Sequence, residues 1–142
     1  MPNKQYEIKK IAVVFLFEKD GKYLFLKRGH TGACDGFYML PGGHVDEGET
    51  VLVAAVREIK EELGVIVDEK DLEFVLVEPS KTFVHFFFKV KKYIGVLKNN
   101  EPEKHDNIAF LSLDIEDILP IVRTEIEAIQ KGITFMESNE NF

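Results

Sequence analysis

GHVDEGETVLVAAVREIKEELGV, residues Gly43 to Val65, joins a glycine-rich turn to an amphipathic helix. Its apolar residues Leu52, Ala55, Val56, Ile59 and Leu63 recur at the 3.6-residue period of a core-facing helix. On the same wheel Glu58, Glu61 and Glu62 fall at i, i+3 and i+4, so three carboxylates project from one sector beside the buried stripe. Like charges at this spacing weaken a helix by about a few tenths of a kcal/mol per pair unless solvent or a cation offsets them. The preceding loop favours the cation. Pro41-Gly42-Gly43 and Gly48 allow tight geometry and close backbone approach, which can aim a main-chain carbonyl at the point the glutamates face. Oxygen donors of this kind suit Mg²⁺ or Mn²⁺. Thr50 is placed to cap the start of the helix and Gly64 its end.

This stretch resembles the Nudix box, in which a glycine, five residues, a glutamate and seven residues precede Arg-Glu, an aliphatic residue, any residue, Glu-Glu, any residue, glycine and an aliphatic residue. Gly43, Glu49, Arg57, Glu58, Ile59, Glu61, Glu62, Gly64 and Val65 stand at those positions, each at the required offset. The resemblance implies a Mg²⁺-dependent hydrolase, with Mn²⁺ as the other ion, that cleaves a phosphoanhydride bond of a nucleoside triphosphate or related nucleoside diphosphate derivative. It implies Glu58, Glu61 and Glu62 as metal ligands and the main-chain carbonyl of Gly42 as another. Arg57 would orient Glu49 or Glu58, and the general base would be Glu58 or a glutamate of a later loop. The alternative is a module of the same fold that senses a nucleotide without hydrolysing it. Such modules typically lose box carboxylates, and none is lost here.

At 142 residues the chain fits one domain, 1–142, with an ordered core expected over about 8–134 and a flexible C-terminal tail. Hydrophobic and charged shares of 45 % and 30 % are those of a globular protein. The net charge of −7 argues against binding a nucleic-acid polymer, but not against a small nucleotide held through cations and a few local basic groups. No apolar run is long enough to span a bilayer, and MPNKQYEIKK lacks the apolar core of a signal peptide. A cytoplasmic protein, monomer or homodimer, away from membranes, is expected. Cys34 is the single cysteine, which leaves no internal disulfide and no cysteine metal site.

Before the box, the apolar run Ile11 to Phe17 and the alternating run Tyr23 to Leu26 flank Asp20-Gly21, a hairpin signal. Arg28 ends the second run beside a glycine-bounded loop, Gly29 to Gly36. The resemblance makes Arg28 a candidate phosphate contact and Phe37 a candidate stacking partner for a base. After the box, Val65 to Val67 and Leu72 to Val77 read as strand, and Thr82 to Leu97 as a longer strand apolar on both faces, suited to a sheet covered on both sides. His85 within it reads as a partly buried packing residue. The polar segment Lys98 to Asp106 is a loop. The resemblance places a further metal-binding or water-activating acid there, Glu101 or Glu103, with His105 a weaker candidate. A last strand, Ile108 to Leu113, leads through Pro120 into a packing helix bearing Ile121, Val122, Ile126, Ile129 and Ile133. The element order predicts an α/β fold, an α/β/α sandwich with a central mixed β-sheet, and the Nudix fold is of this kind.

Overall fold

A computed structural model describes residues 4–139. Eight strands and two helices follow in the order β1 Lys10–Leu16, β2 Glu18–Lys19, β3 Lys22–Arg28, β4 Tyr38–Met39, β5 Gly42–His44, α1 Val51–Leu63, β6 Leu72–Pro79, β7 Phe83–Val90, β8 His105–Leu111 and α2 Pro120–Gln130. The first sheet runs β5-β1-β7-β6, with β1 parallel to β7 and its other pairs antiparallel. In the second, β3 pairs with β8 along its length and with β2 and β4 at its two ends.

Both sheets lie between the helices, and the alternation of strand side chains assigns each residue to one of two cores. Val13 and Phe15 of β1, Leu24 and Leu26 of β3, and Phe88 of β7 pack with Ile59 and Leu63 of α1. Their neighbours Leu16, Tyr23, Phe25 and Phe87 pack with Val122 and Ile126 of α2. The apolar run through β1 is therefore buried on both faces, as a parallel-paired strand requires. The expected mixed α/β sandwich is what forms, with its strands shared between two sheets.

Several boundaries differ from expectation, each through a non-local contact. Asp20 and Gly21 do form a two-residue turn, with φ of 53° and 77°, the backbone of a type I′ hairpin. That hairpin joins only Glu18-Lys19 to Lys22-Tyr23, because β1 is taken by β5 and β7 in the other sheet. The long strand ends at Val90 rather than Leu97, and beyond it only Ile94 bridges Ile66, which is all that remains of the strand expected at Val65 to Val67. Ile133 falls outside α2, which stops at Gln130. Val77 donates to Thr134 at the end of the expected core, and residues of the expected tail beyond it also have backbone partners along β6: Met136 donates to Val77 and Ser138 to Pro79. Residues 140–142 of that tail lie outside the described residues.

Candidate active site

Helix α1 is held at both ends by its own sequence. The Thr50 hydroxyl accepts the Val53 N–H at 3.2 Å, and Gly64, at φ 75°, donates to the Lys60 carbonyl at 3.0 Å. With Ile59 and Leu63 fully buried, Glu58, Glu61 and Glu62 turn toward strand β5 and the cleft beside it.

Glu62 is the innermost of the three, 6 % exposed. Its Oε1 accepts the Gly42 N–H at 2.9 Å. In register with β1, Gly42 faces Val14, and its N–H points away from that strand toward Glu62. The N–H and C=O of a strand residue point to the same side, so the Gly42 carbonyl faces the cleft as well. Close approach makes glycine necessary here: a Cβ on Gly42 would meet the Val13 carbonyl, and one on Gly43 would overlap the Glu58 carboxylate.

Arg57 binds these carboxylates into one unit. Its Nε and Nη2 donate to the two oxygens of Glu49 at 2.7 and 2.8 Å, and Nη1 donates to Glu58 at 3.0 Å and Glu61 at 3.2 Å. Nη2 also donates to the His44 carbonyl at 3.1 Å. Both expected partners, Glu49 and Glu58, are thus engaged together. The guanidinium hydrogen bonds hold the Glu49 carboxyl down at about 2, and Arg57 is itself held above its ordinary value, chiefly by Glu49. Burial acts the other way on the inner pair. It pushes Glu62 up to about 8, opposed by the Gly42 N–H and reinforced by the Glu101 and Glu58 charges. It raises Glu58 too, with Arg57 pulling back.

The loop after β7 closes the site. The N–H groups of Lys104 and His105 donate to the Glu101 carbonyl at 2.9 and 3.1 Å, a single helical turn. One ligating atom each from Glu62, Glu101 and His105 lies within 4.8 Å of the others. Glu101 and Glu103, equivalent in the sequence, differ here: Glu103 is exposed and lines the cleft outside this group. The cleft, about 630 Å³, also receives Arg28, His30, His44 and Lys104. A narrower continuation of about 210 Å³ runs past Gly42, Glu62 and His105 to Met39, Leu40 and His85.

Arg28 reaches both spaces, its Nε held by the Ala33 carbonyl at 2.9 Å. Phe37 does not. It lies 41 % exposed in the loop before β4, outside the residues lining either space, and its carbonyl accepts the Arg28 N–H at 3.0 Å. His30, His44 and Asp46 line the cleft without having been singled out, and no spacing or periodicity marked them.

A family model of the NUDIX domain matches residues 8–132. The chain belongs to the Nudix family. It is similar to the ADP-ribose pyrophosphatase of Methanocaldococcus jannaschii, 36 % identical over 119 residues, covering 77 % of this chain and 70 % of that protein. The 8-oxo-dGDP phosphatase of Mus musculus is 31 % identical over 98 residues, 69 % of this chain, which spans only 29 % of that longer protein. Among solved structures, a MutT Nudix hydrolase from Burkholderia pseudomallei superposes with a TM-score of 0.73 at 25 % identity, covering 85 % of this chain and 98 % of that one. A Nudix hydrolase from Nitrosomonas europaea does so at 0.76, with 19 % identity over 96 % of this chain and 82 % of that one, a likeness of fold. This Nudix protein is a hydrolase of phosphoanhydride bonds. No helix among its described residues is long and apolar enough to cross a membrane.

Proposed function

We propose that the chain hydrolyses the pyrophosphate linkage of a nucleoside diphosphate derivative with Mg²⁺ or Mn²⁺ bound, Glu58, Glu61, Glu62, Glu101 and the Gly42 carbonyl being the groups that hold the ions. One observation carries this reading: a carboxylate 6 % exposed, Glu62, has Glu58 and Glu101 near enough to raise its pKa further. An isolated buried anion is costly, so such a group either keeps its proton or takes a cation. Apart from the His105 ring nitrogen, the donors around it are oxygens, which a hard divalent ion accepts.

When bound, a divalent ion neutralises charge on phosphate oxygens and lowers the pKa of a coordinated water. The chain's own residues supply the rest. Arg57 fixes Glu49, Glu58 and Glu61 at once, which sets the relative placement of these carboxylates. Arg28 and Lys104 bring positive charge to the same cleft, where phosphate oxygens need partners. Glu58 and Glu101 are the two groups able to accept the proton of an attacking water. The relative acting on ADP-ribose and those acting on 8-oxo-dGDP make these two compounds the leading substrates alongside nucleoside triphosphates.

The test is a panel of canonical and oxidised nucleoside triphosphates and diphosphates, ADP-ribose, sugar nucleotides and dinucleoside polyphosphates, with products resolved by chromatography. We expect strong turnover of one class, lost in EDTA. Glu62→Gln is expected to lower that turnover by roughly two orders of magnitude or more while the fold persists, since it removes ligand charge and keeps shape. Unchanged turnover in Glu62→Gln at saturating Mg²⁺ would overturn the assignment. Tight nucleotide binding with no hydrolysis by the unaltered protein would overturn the reaction itself.

A further inference from the structure

The proposed ion site contains one donor of a different kind. His105 opens β8 at the foot of the cleft, 5 % exposed, and lines both the cleft and its narrow continuation. Its backbone is fully engaged: the N–H donates to the Glu101 carbonyl, and the carbonyl accepts Asn99 Nδ2 at 2.7 Å. Its ring is not. Nδ1 is enclosed without a hydrogen-bond partner, and Nε2 stands 3.9 Å from Glu62 Oε2, beyond hydrogen-bond reach. The orphaned Nδ1 is a cost to the fold, and Nε2, the nitrogen facing Glu62, is the one placed to take an ion. The 3.9 Å gap is shorter than two metal–ligand bonds of about 2.1 Å laid end to end, so an ion lying off the line between the atoms touches both. Glu101 offers a third atom within 4.8 Å.

We infer that His105 is a ring-nitrogen ligand of the ion held by Glu62 and Glu101, and that this position favours a first-row transition ion such as Mn²⁺ or Co²⁺ over Mg²⁺. The inference rests on the ion site of the proposed function and adds to it a donor and a class of ion. Mg²⁺ prefers oxygen ligands and gives up its waters reluctantly, whereas an imidazole nitrogen suits the softer ions, with affinity rising from Mn²⁺ through Co²⁺. A histidine buried only for packing would leave the ion preference untouched. Lys104 and Arg28 share the cleft, and Lys104 Nζ, 3.4 Å from Glu101 Oε2, is the cation an ion bound there would displace.

Mg²⁺, Mn²⁺ and Co²⁺ are titrated separately by calorimetry into the metal-free protein and its His105→Asn variant, and the Co²⁺ complex of the unaltered protein is examined by proton NMR. The expected result is a loss of at least ~10-fold in Co²⁺ affinity in His105→Asn, a smaller loss for Mn²⁺ and less than ~3-fold for Mg²⁺. The unaltered Co²⁺ complex should show a contact-shifted imidazole N–H resonance, and this reading needs no variant to fold. Equal losses for all three ions, an unchanged Co²⁺ affinity, or a Co²⁺ complex without that resonance overturns the inference. Glu62→Gln separates the two levels: if it abolishes ion binding while His105→Asn has no effect, the proposed function stands and only His105 loses its role. Absence of any ion binding by the unaltered protein overturns both.

Discussion

At the scale of single residues, Arg57 does what no other side chain in the cleft could. A guanidinium presents five N–H donors in a planar fork, and here they reach Glu49 twice, Glu58, Glu61 and the His44 carbonyl. Lysine keeps the charge but offers a compact ammonium on a flexible stem, which cannot serve these acceptors together. Arg57→Lys should therefore lower turnover by roughly 10- to 100-fold with little change in melting temperature, read by steady-state kinetics beside thermal melts. Glu49 sets the pH range of this unit. Its folded pKa is depressed from 4.5 to about 2, so its contribution is fully present above pH 4.5 and is lost only as pH falls toward 2. The Arg57–Glu49 pair should stay intact throughout the neutral range.

At the scale of elements, α1 and β5 form the site by their closeness, and Gly43 leaves room for it. A Cβ at residue 43 would overlap the Glu58 carboxylate, so Gly43→Ala should displace Glu58 and cut activity far more than stability. Gly64 does the opposite. Its φ of 75° lets the helix end in a left-handed turn, so Gly64→Ala should cost about 1 kcal/mol in chemical denaturation with the intact site still active. Helix α1 was legible in the sequence because its signals are local, a 3.6-residue period, a capping threonine and glycines at fixed offsets, whereas β5 was read only as a glycine-rich turn because its pairing with β1 is non-local. The hairpin signal at Asp20-Gly21 was equally local and correct as a turn, yet β1 pairs across the chain with β7, which no nearby residue announces. The burial of His105 was not legible for the same reason. It stands in the polar run KNNEPEKHD, and only the docking of that loop onto α1 buries it beside Glu62. The place of Phe37, outside the residues lining the cleft, depends on loop geometry that spacing does not encode.

At the scale of the whole molecule, a protein of net charge −7 concentrates carboxylates in one cleft and buries one of them. Stability is therefore tied to pH and to ions. Glu62 has a folded pKa raised from 4.5 to about 8. The metal-free native state then holds more protons than the unfolded chain between those values, and Glu62 lowers stability as pH rises through that window. In EDTA the melting temperature should fall from pH 5 to pH 8 more steeply for the unaltered protein than for Glu62→Gln, and added Mg²⁺ should offset the fall by binding the native state.

The central claim, that Glu62 exchanges its proton for a divalent ion, is tested most directly by calorimetric titration of Mg²⁺ in two buffers of different ionisation enthalpy. Ligand carboxyls must lose their protons on binding. Release should approach about one proton per ion at pH 7, fall toward none above about pH 9, and be absent from Glu62→Gln. Mg²⁺ binding at pH 7 with no proton released, or release unchanged in Glu62→Gln, would contradict it.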